Sequence, residues 1–292
     1  MIKWDQHQLR VIKEDRKRFG IFLGTGSGKT RIAVALAKGP TLVLCPKQQK
    51  VDNTWTSEWS LQEKKDDLYI LSKEQFKDLY KRHGTTLGIK AHIRTLILDE
   101  AHTFAGATPY TRQKNYIKFP KTSQLFADVT KYIQEAKPEQ LYPVTATPDA
   151  EPMKVWALAT ILGCNWDFFK FRDTFYFEAM KRGRVLYMVN ASKRNKELLG
   201  QLVRRIGYTG RLEDWYKVPE QTKETIECGT TEAQEGKYME LRILYPDPMV
   251  LIGKMHKLEQ GLFEGEFVEE KKTNSLFSLQ VEHKKLLIFA KY

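Results

Sequence analysis

The first strong apolar signal in the chain is the short run Gly20-Ile-Phe-Leu23. Residues 5–18 precede it with helical spacing, Leu9 and Ile12 falling on one side. Continuous apolar runs then recur at 41–45 (TLVLC), 68–71 (LYIL), 95–98 (TLIL) and 141–145 (LYPVT). Continuous rather than alternating runs are what strands buried on both faces require. Helical patterns separate them at 31–38, in the fifties and at 74–80. Strands alternating with helices predict an α/β fold, a parallel sheet flanked by helices on both faces.

After Pro148 the texture changes. Residues 151–215 are rich in aromatic and basic side chains and read mostly as helix with loops. A further strand is expected at 225–228 and a helix at 231–245. The terminal KKLLIFAKY (284–292) has the pattern of a buried strand, yet a lone strand can neither bury its faces nor satisfy its backbone. It is expected either to join the first sheet or to begin a sheet whose other strands lie outside this sequence.

At 292 residues, 41% apolar and 29% charged, the composition is that of a soluble globular protein with room for more than one domain. No apolar run approaches the ~20 residues of a membrane span. The polar start MIKWDQHQLR lacks the apolar stretch of a secretory signal. A cytoplasmic location, in a bacterium or a phage-infected host, is the expectation. The net charge of +12 suits a polyanionic partner. Cys45, Cys164 and Cys228 form no CxxC pair and the six histidines add no metal-ligand spacing, so reduced, mostly buried thiols are expected.

Residues 24–30 read GTGSGKT, directly after one apolar run and at the start of a helical pattern. That context makes a phosphate-binding loop. Gly24, Gly26 and Gly28 let the backbone fold tightly, and the N–H groups of Thr25, Ser27 and their neighbours face an anion at a helix N-terminus. Lys29 is placed to reach the β- and γ-phosphates of a nucleotide such as ATP, and the Thr30 hydroxyl to hold Mg²⁺. The general pattern asks for glycine where this chain has Leu23, a position that helicases relax. Farther on, TLILDEAH ends an apolar run with Asp99-Glu100-Ala101-His102. Ligand sites of open α/β sheets lie at the carboxyl ends of strands. Asp99 is suited to bind Mg²⁺ and Glu100 to orient and deprotonate an attacking water. Taken alone, either acid would read as a helix cap.

GTGSGKT, DEAH and Thr145-Ala146-Thr147-Pro148 resemble, in order, motifs I, II and III of the superfamily 2 helicases and translocases. The resemblance implies a RecA-like lobe. It makes Gln8 a candidate adenine-reading residue, and His102, Thr145 and Thr147 the link between hydrolysis and strand movement. Residues 43–55 are similar to motif Ia, which makes Pro46 and Lys47 candidates for nucleic-acid backbone contact. The finer resemblance is to the Swi/Snf-like branch of double-strand translocases. There Val218-Pro219 with 225–228, QEGKYMEL (234–241) and KKLLIFAKY match successive features, so the likeness covers nearly the whole chain. Its compact size resembles phage-encoded members. The expected organisation is a RecA-like ATP-binding core of lobe one at 1–150, a helical insertion returning to that lobe at 151–228, and a helical linker with the first strand of a second lobe at 229–292. No QxxGRxxR-like segment follows residue 150. In the family that segment lies on lobe two and supplies the arginine fingers. The resemblance therefore implies a second lobe largely outside this sequence, and a chain that binds ATP but hydrolyses it poorly.

From 181 to 205 the bases Lys181, Arg182, Arg184, Lys193, Arg194, Lys196, Arg204 and Arg205 stand against the single acid Glu197. Phe168, Phe169, Phe171, Phe175, Tyr176 and Phe177 come just before. Basic side chains can neutralise phosphates and exposed aromatics can stack on bases. The same residues also suit a solvated helix face over an aromatic mini-core. Lys181, Arg182 and Arg184 stand as nucleic-acid candidates on this ground. Double-stranded DNA is the favoured partner; RNA is not excluded and no membrane partner is expected. An RNA helicase, a nucleotide-gated loading module and the motor subunit of a restriction or defence system are the alternatives.

Overall fold

The computed structural model describes residues 4–114, 117–181, 184–216, 232–244, 262–263 and 266–267. The chain divides into two compact units, Met1–Val218 and Pro219–Tyr292. In the first unit the order is α1 (Gln6–Glu14), β1 (Gly20–Leu23), α2 (Lys29–Leu36), β2 (Thr41–Cys45), α3 (Lys47–Val51), α4 (Thr54–Leu61), β3 (Leu68–Ser72), α5 (Lys73–His83) and β4 (Thr95–Asp99). It continues with β5 (Ala107–Lys114), β6 (Ile117–Thr122), α6 (Gln124–Ala136), β7 (Gln140–Val144), α7 (Pro152–Ile161), α8 (Phe168–Phe175), β8 (Tyr176–Lys181), β9 (Arg184–Val189), α9 (Lys193–Ile206) and β10 (Gly207–Gly210). The second unit holds α10 (Glu232–Leu244) and the two-residue pair β11 (Leu262–Phe263) and β12 (Glu266–Phe267).

Six strands form one parallel sheet in the order β10-β1-β7-β4-β2-β3. The five apolar runs of the sequence are the four inner strands β1, β7, β4 and β2 and the edge strand β3, and the continuity of the inner ones has a direct cause. Phe22, Leu42, Leu44, Leu96 and Leu98 feed a core on one face; Ile21, Leu23, Val43, Cys45 and Ile97 feed a core on the other. Helices α2 and α4 cover the second face through Ile32, Val34, Leu36, Trp55 and Trp59, while α5, α6 and α7 cover the first.

Several expectations are corrected. The predicted helix over 5–18 ends at Glu14 and buries His7, Gln8 and Val11, leaving Leu9 exposed. The polar pair is inside because it bonds the loop after β1. Helix and loop predominate over 151–215 as expected, in α7, α8 and α9, but the segment also holds the antiparallel hairpin β8–β9 and the sheet strand β10. The runs YFEAMK and RVLYMV are rich in the aromatic and β-branched residues that favour strands, and that signal outweighs the basic, aromatic texture. A second hairpin, β5–β6, and the helix α6 fill the interval between β4 and β7. Helix α10 matches the expectation for 231–245. The expected strands at 225–228 and 284–292 and the Val218-Pro219 turn lie outside the described residues, as do Cys228 and Arg182.

The aromatic series splits. Phe168, Phe171, Phe175 and Tyr176 are buried in a core beneath α7, whereas Phe169 and Phe177 are exposed. Among the described residues no helix is long and apolar enough to cross a membrane.

Candidate functional site

Strand β1 is buried along its whole length and ends at Leu23, after which the chain must turn sharply to start α2. Gly26 and Gly28 take that turn with φ of 81° and 78°, the left-handed region that glycine adopts without Cβ strain. Gly28 is required twice over, because a Cβ there would lie 2.3 Å from Gln8 Nε2. The loop is pinned from inside and outside. Ser27 Oγ and Lys29 Nζ both donate to the Gly24 carbonyl, at 2.7 and 3.1 Å. Gly24 N–H donates to the Gly210 carbonyl of β10 at 3.0 Å. The Ser27 carbonyl accepts from Gln8 Nε2 at 3.2 Å and lies 3.0 Å from His7 Nε2. His7 in turn stacks on Trp215 with centroids 4.2 Å apart.

Thr25 and Gly26 are exposed at the loop tip, while Lys29 and Thr30 are half-buried in the first turn of α2. Burial pulls the Lys29 ammonium below its ordinary pKa, with Glu100 and Asp99 nearby opposing the shift. A tight glycine loop at the start of α2, open space at the Gly26 Cα and a half-buried lysine in the first turn fit a phosphate.

The acid pair arrives from β4. Its register pairs Asp99 with Val144 of β7, so the carboxyl ends of β4 and β7 are level. Asp99 is buried, 5% exposed, and accepts from Trp55 Nε1 at 3.0 Å and from the Glu100 N–H at 2.9 Å. Burial pushes its carboxyl up to about 6 despite these two donors and Lys29, and the Glu100 carboxylate adds to the rise. An ionised Asp99 with too little positive charge beside it is a fitting ligand for a divalent cation, together with the Thr30 hydroxyl. Glu100 has φ of 49°, a left-handed backbone that turns it out of the strand line, and its side chain is partly exposed.

β7 lies between β1 and β4 in the sheet, so the segment after it emerges between the glycine loop and the acid pair. Thr145 N–H donates to the Ile21 carbonyl of β1 at 3.2 Å. His102 Nδ1 lies 2.9 Å from Thr145 Oγ1 and 3.3 Å from Glu100 Oε2, and Thr145 Oγ1 accepts from Thr147 N–H at 3.2 Å. Burial lowers the His102 pKa, which favours its neutral form. A continuous polar chain thus runs from Glu100 through His102 to Thr145 and Thr147.

Gln8, the 24–30 loop, Asp99, Glu100, His102, Thr145 and Thr147 therefore converge at one edge of the sheet. Pro46 and Lys47 follow β2 at the same carboxyl edge, Lys47 exposed, and among the described residues no hydrogen bond or ion pair joins them to the cluster. Lys181 and Arg184 face each other at the turn end of β8–β9, outside it. Three residues without a sequence signal of their own also belong to the site. Trp55 reaches Asp99 from α4, and His7 reaches the loop from α1. Lys73 opens α5 behind a Ser72–Gln75 capping box, its amine 5.4 Å from the Phe104 ring centroid. Burial lowers the Lys73 pKa, with Glu74, Glu100 and Asp99 opposing. A capping box, S-x-x-Q, was legible for Lys73's helix, but not its approach to the acid pair. No protein-family model matches the chain and no curated protein matches it, so the site's chemistry rests on its own geometry.

Proposed function

We propose that the chain binds Mg–ATP at the 24–30 loop and couples its hydrolysis to nucleic acid, as the N-terminal, RecA-like half of a DNA helicase or translocase motor. The observation that carries this reading is the junction of Lys29, Asp99 and Glu100 across a β1-β7-β4 sheet, with Thr145 between them. Bound Mg–ATP would supply the phosphoryl group and the cation. Lys29 and the loop N–H groups hold phosphate oxygens. Thr30 and ionised Asp99 hold the metal, and Trp55 fixes the Asp99 carboxylate plane. Glu100 orients a water and takes its proton at the carboxylate. His102, neutral and hydrogen-bonded to Thr145, passes a change at Glu100 to the segment leading into α7. The charge of +12 supports a polyanionic track.

The test is ATP binding and steady-state hydrolysis with no polymer, duplex DNA, single-stranded DNA or RNA. ATP binding that Lys29→Ala removes, and turnover raised most by duplex DNA, are the expected results. Absence of ATP binding, or binding indifferent to Lys29→Ala, overturns the reading.

A further inference from the structure

We propose that His7 is a positioning residue for phosphate binding: acting with Gln8 and held by Trp215, it fixes the Ser27–Gly28 peptide so that the Gly28 N–H faces the ligand. The inference rests on the reading of the 24–30 loop as a phosphate site and deepens it. Helix α1 turns His7 and Gln8 inward, 4% and 3% exposed, while Leu9 stays in solvent. Burying two polar side chains in place of apolar ones costs free energy unless their hydrogen bonds are made. Both side chains donate to one atom, the Ser27 carbonyl oxygen, His7 from Nε2 at 3.0 Å and Gln8 from Nε2 at 3.2 Å. The His7 Nε2 carries the proton here, since a carbonyl cannot donate. A carbonyl oxygen has two lone pairs, so the two donors occupy it fully.

A trans peptide unit is planar, and its C=O and N–H point in opposite directions. A Ser27 carbonyl held toward α1 therefore aims the Gly28 N–H away from α1. Glycine gives this unit little steering of its own. Gly28 has φ of 78°, and glycine takes either sign of φ about equally well, so the unit is free to rotate unless something outside holds it. A rotated unit would present its carbonyl oxygen, the negative end of the dipole, where the N–H stood. An anion is attracted by the first arrangement and repelled by the second. The bare Cα of Gly28 also admits Gln8, whose Nε2 would lie 2.3 Å from a Cβ there.

His7 is itself held. Its ring stacks on Trp215 at 4.2 Å with the planes 11° apart, and Tyr216 stands edge-on to it at 5.7 Å. The Tyr216 hydroxyl donates to the carboxylate of Asp5, the N-cap of α1. Trp215 covers Gly210, where a Cβ would lie 2.1 Å from the indole ring. The Gly210 carbonyl in turn accepts the Gly24 N–H at 3.0 Å. The glycine loop is thus tied to the end of β10 twice, at Gly24 directly and at Ser27 through His7 and Trp215. The Gln8 amide is engaged at both ends, its Oε1 accepting from Asp5 N–H at 3.1 Å while its Nε2 holds the loop. Gln8 so placed contributes to phosphate affinity and not to the choice of base.

The experiment is calorimetric titration of the 292-residue chain with Mg–ATP, Mg–GTP and Mg–tripolyphosphate. His7→Phe keeps a ring on Trp215 and loses the donor, whereas His7→Gln keeps a donor and loses the ring. His7→Phe should lose about tenfold in affinity, the worth of one well-aligned hydrogen bond, by the same factor for all three ligands. His7→Gln should stay within about threefold of wild type. Gln8→Met removes the second donor and leaves the Trp215 stack alone. It should match His7→Phe, and it carries the test if His7→Phe does not fold. Wild-type affinity in both His7→Phe and Gln8→Met overturns the proposal and leaves the phosphate site standing. A loss in His7→Gln as large as that in His7→Phe marks a packing role and overturns it as well. A loss confined to ATP makes the pair base readers, and the proposal is wrong. A wild type that binds none of the three ligands overturns the phosphate site and the proposal together.

Discussion

Replacing Asp99 by asparagine should make the nucleotide-free protein more stable at pH 8, although it destroys a candidate metal ligand. The Asp99 carboxyl is held at about 6 against an ordinary 3.8, chiefly by burial. Between those two values the native chain keeps a proton that the unfolded chain has released. Stability therefore falls as pH rises through that window, is unaffected below it and stays reduced above it. A separation of this size corresponds to about 3 kcal/mol at pH 8, roughly half of it developed by pH 5. Asparagine removes the buried charge but can accept only one of the two hydrogen bonds from Trp55 Nε1 and Glu100 N–H, a loss of about 1 kcal/mol. The net expectation is a gain of about 2 kcal/mol at pH 8, shrinking by about 1.4 kcal/mol at pH 5. Urea midpoints of both proteins, measured at the two pH values without divalent cation, read this out. The difference between the proteins isolates Asp99 from every other carboxylate that titrates in the same range. A difference that is flat between pH 5 and pH 8, or larger at pH 5, refutes the reasoning. Mg–ATP added at pH 8 should stabilise the wild type more than the variant, since only the ionised carboxylate adds its ligand to the cation.

Other substitutions probe the remaining roles. Glu100→Gln should keep nucleotide affinity while lowering turnover by about 10²- to 10⁴-fold, measured as binding against steady-state hydrolysis. Gly28→Ala forces a side chain into the left-handed region and against Gln8 Nε2, so nucleotide affinity should fall by about tenfold or more with the circular dichroism unchanged. Thr145→Val removes the oxygen shared by His102 Nδ1 and Thr147 N–H. Nucleotide affinity should hold while polymer-stimulated turnover falls about tenfold; an unchanged stimulation ratio would show that the polar chain carries no coupling.

The sheet was legible because its four inner strands are buried on both faces and its edge strand β3 is apolar and half-buried. Strands of this kind are apolar at nearly every position, and the runs at 41–45, 68–71 and 95–98 match β2, β3 and β4 to within one residue. The glycine loop was legible for a similar reason: positive φ at Gly26 and Gly28 leaves few alternatives to glycine. The hairpins were less legible. Their rings split between a core and solvent, Phe175 buried and Phe177 exposed two residues later, so no single period ran through 168–189.

Local sequence thus determined the elements and the residue types that phosphate and metal chemistry demand. It did not determine strand order. Only the tertiary structure set β7 between β1 and β4, bringing Thr145 within hydrogen-bond reach of His102 and levelling Asp99 with Val144. Only it delivered Trp55 to Asp99 from 44 positions upstream and Gly210 to Gly24 from a strand at the far side of β1. These contacts join segments whose own patterns are satisfied without them. Their partners are chosen by how helices and strands stack, a property of the assembled sheet rather than of any window along the chain.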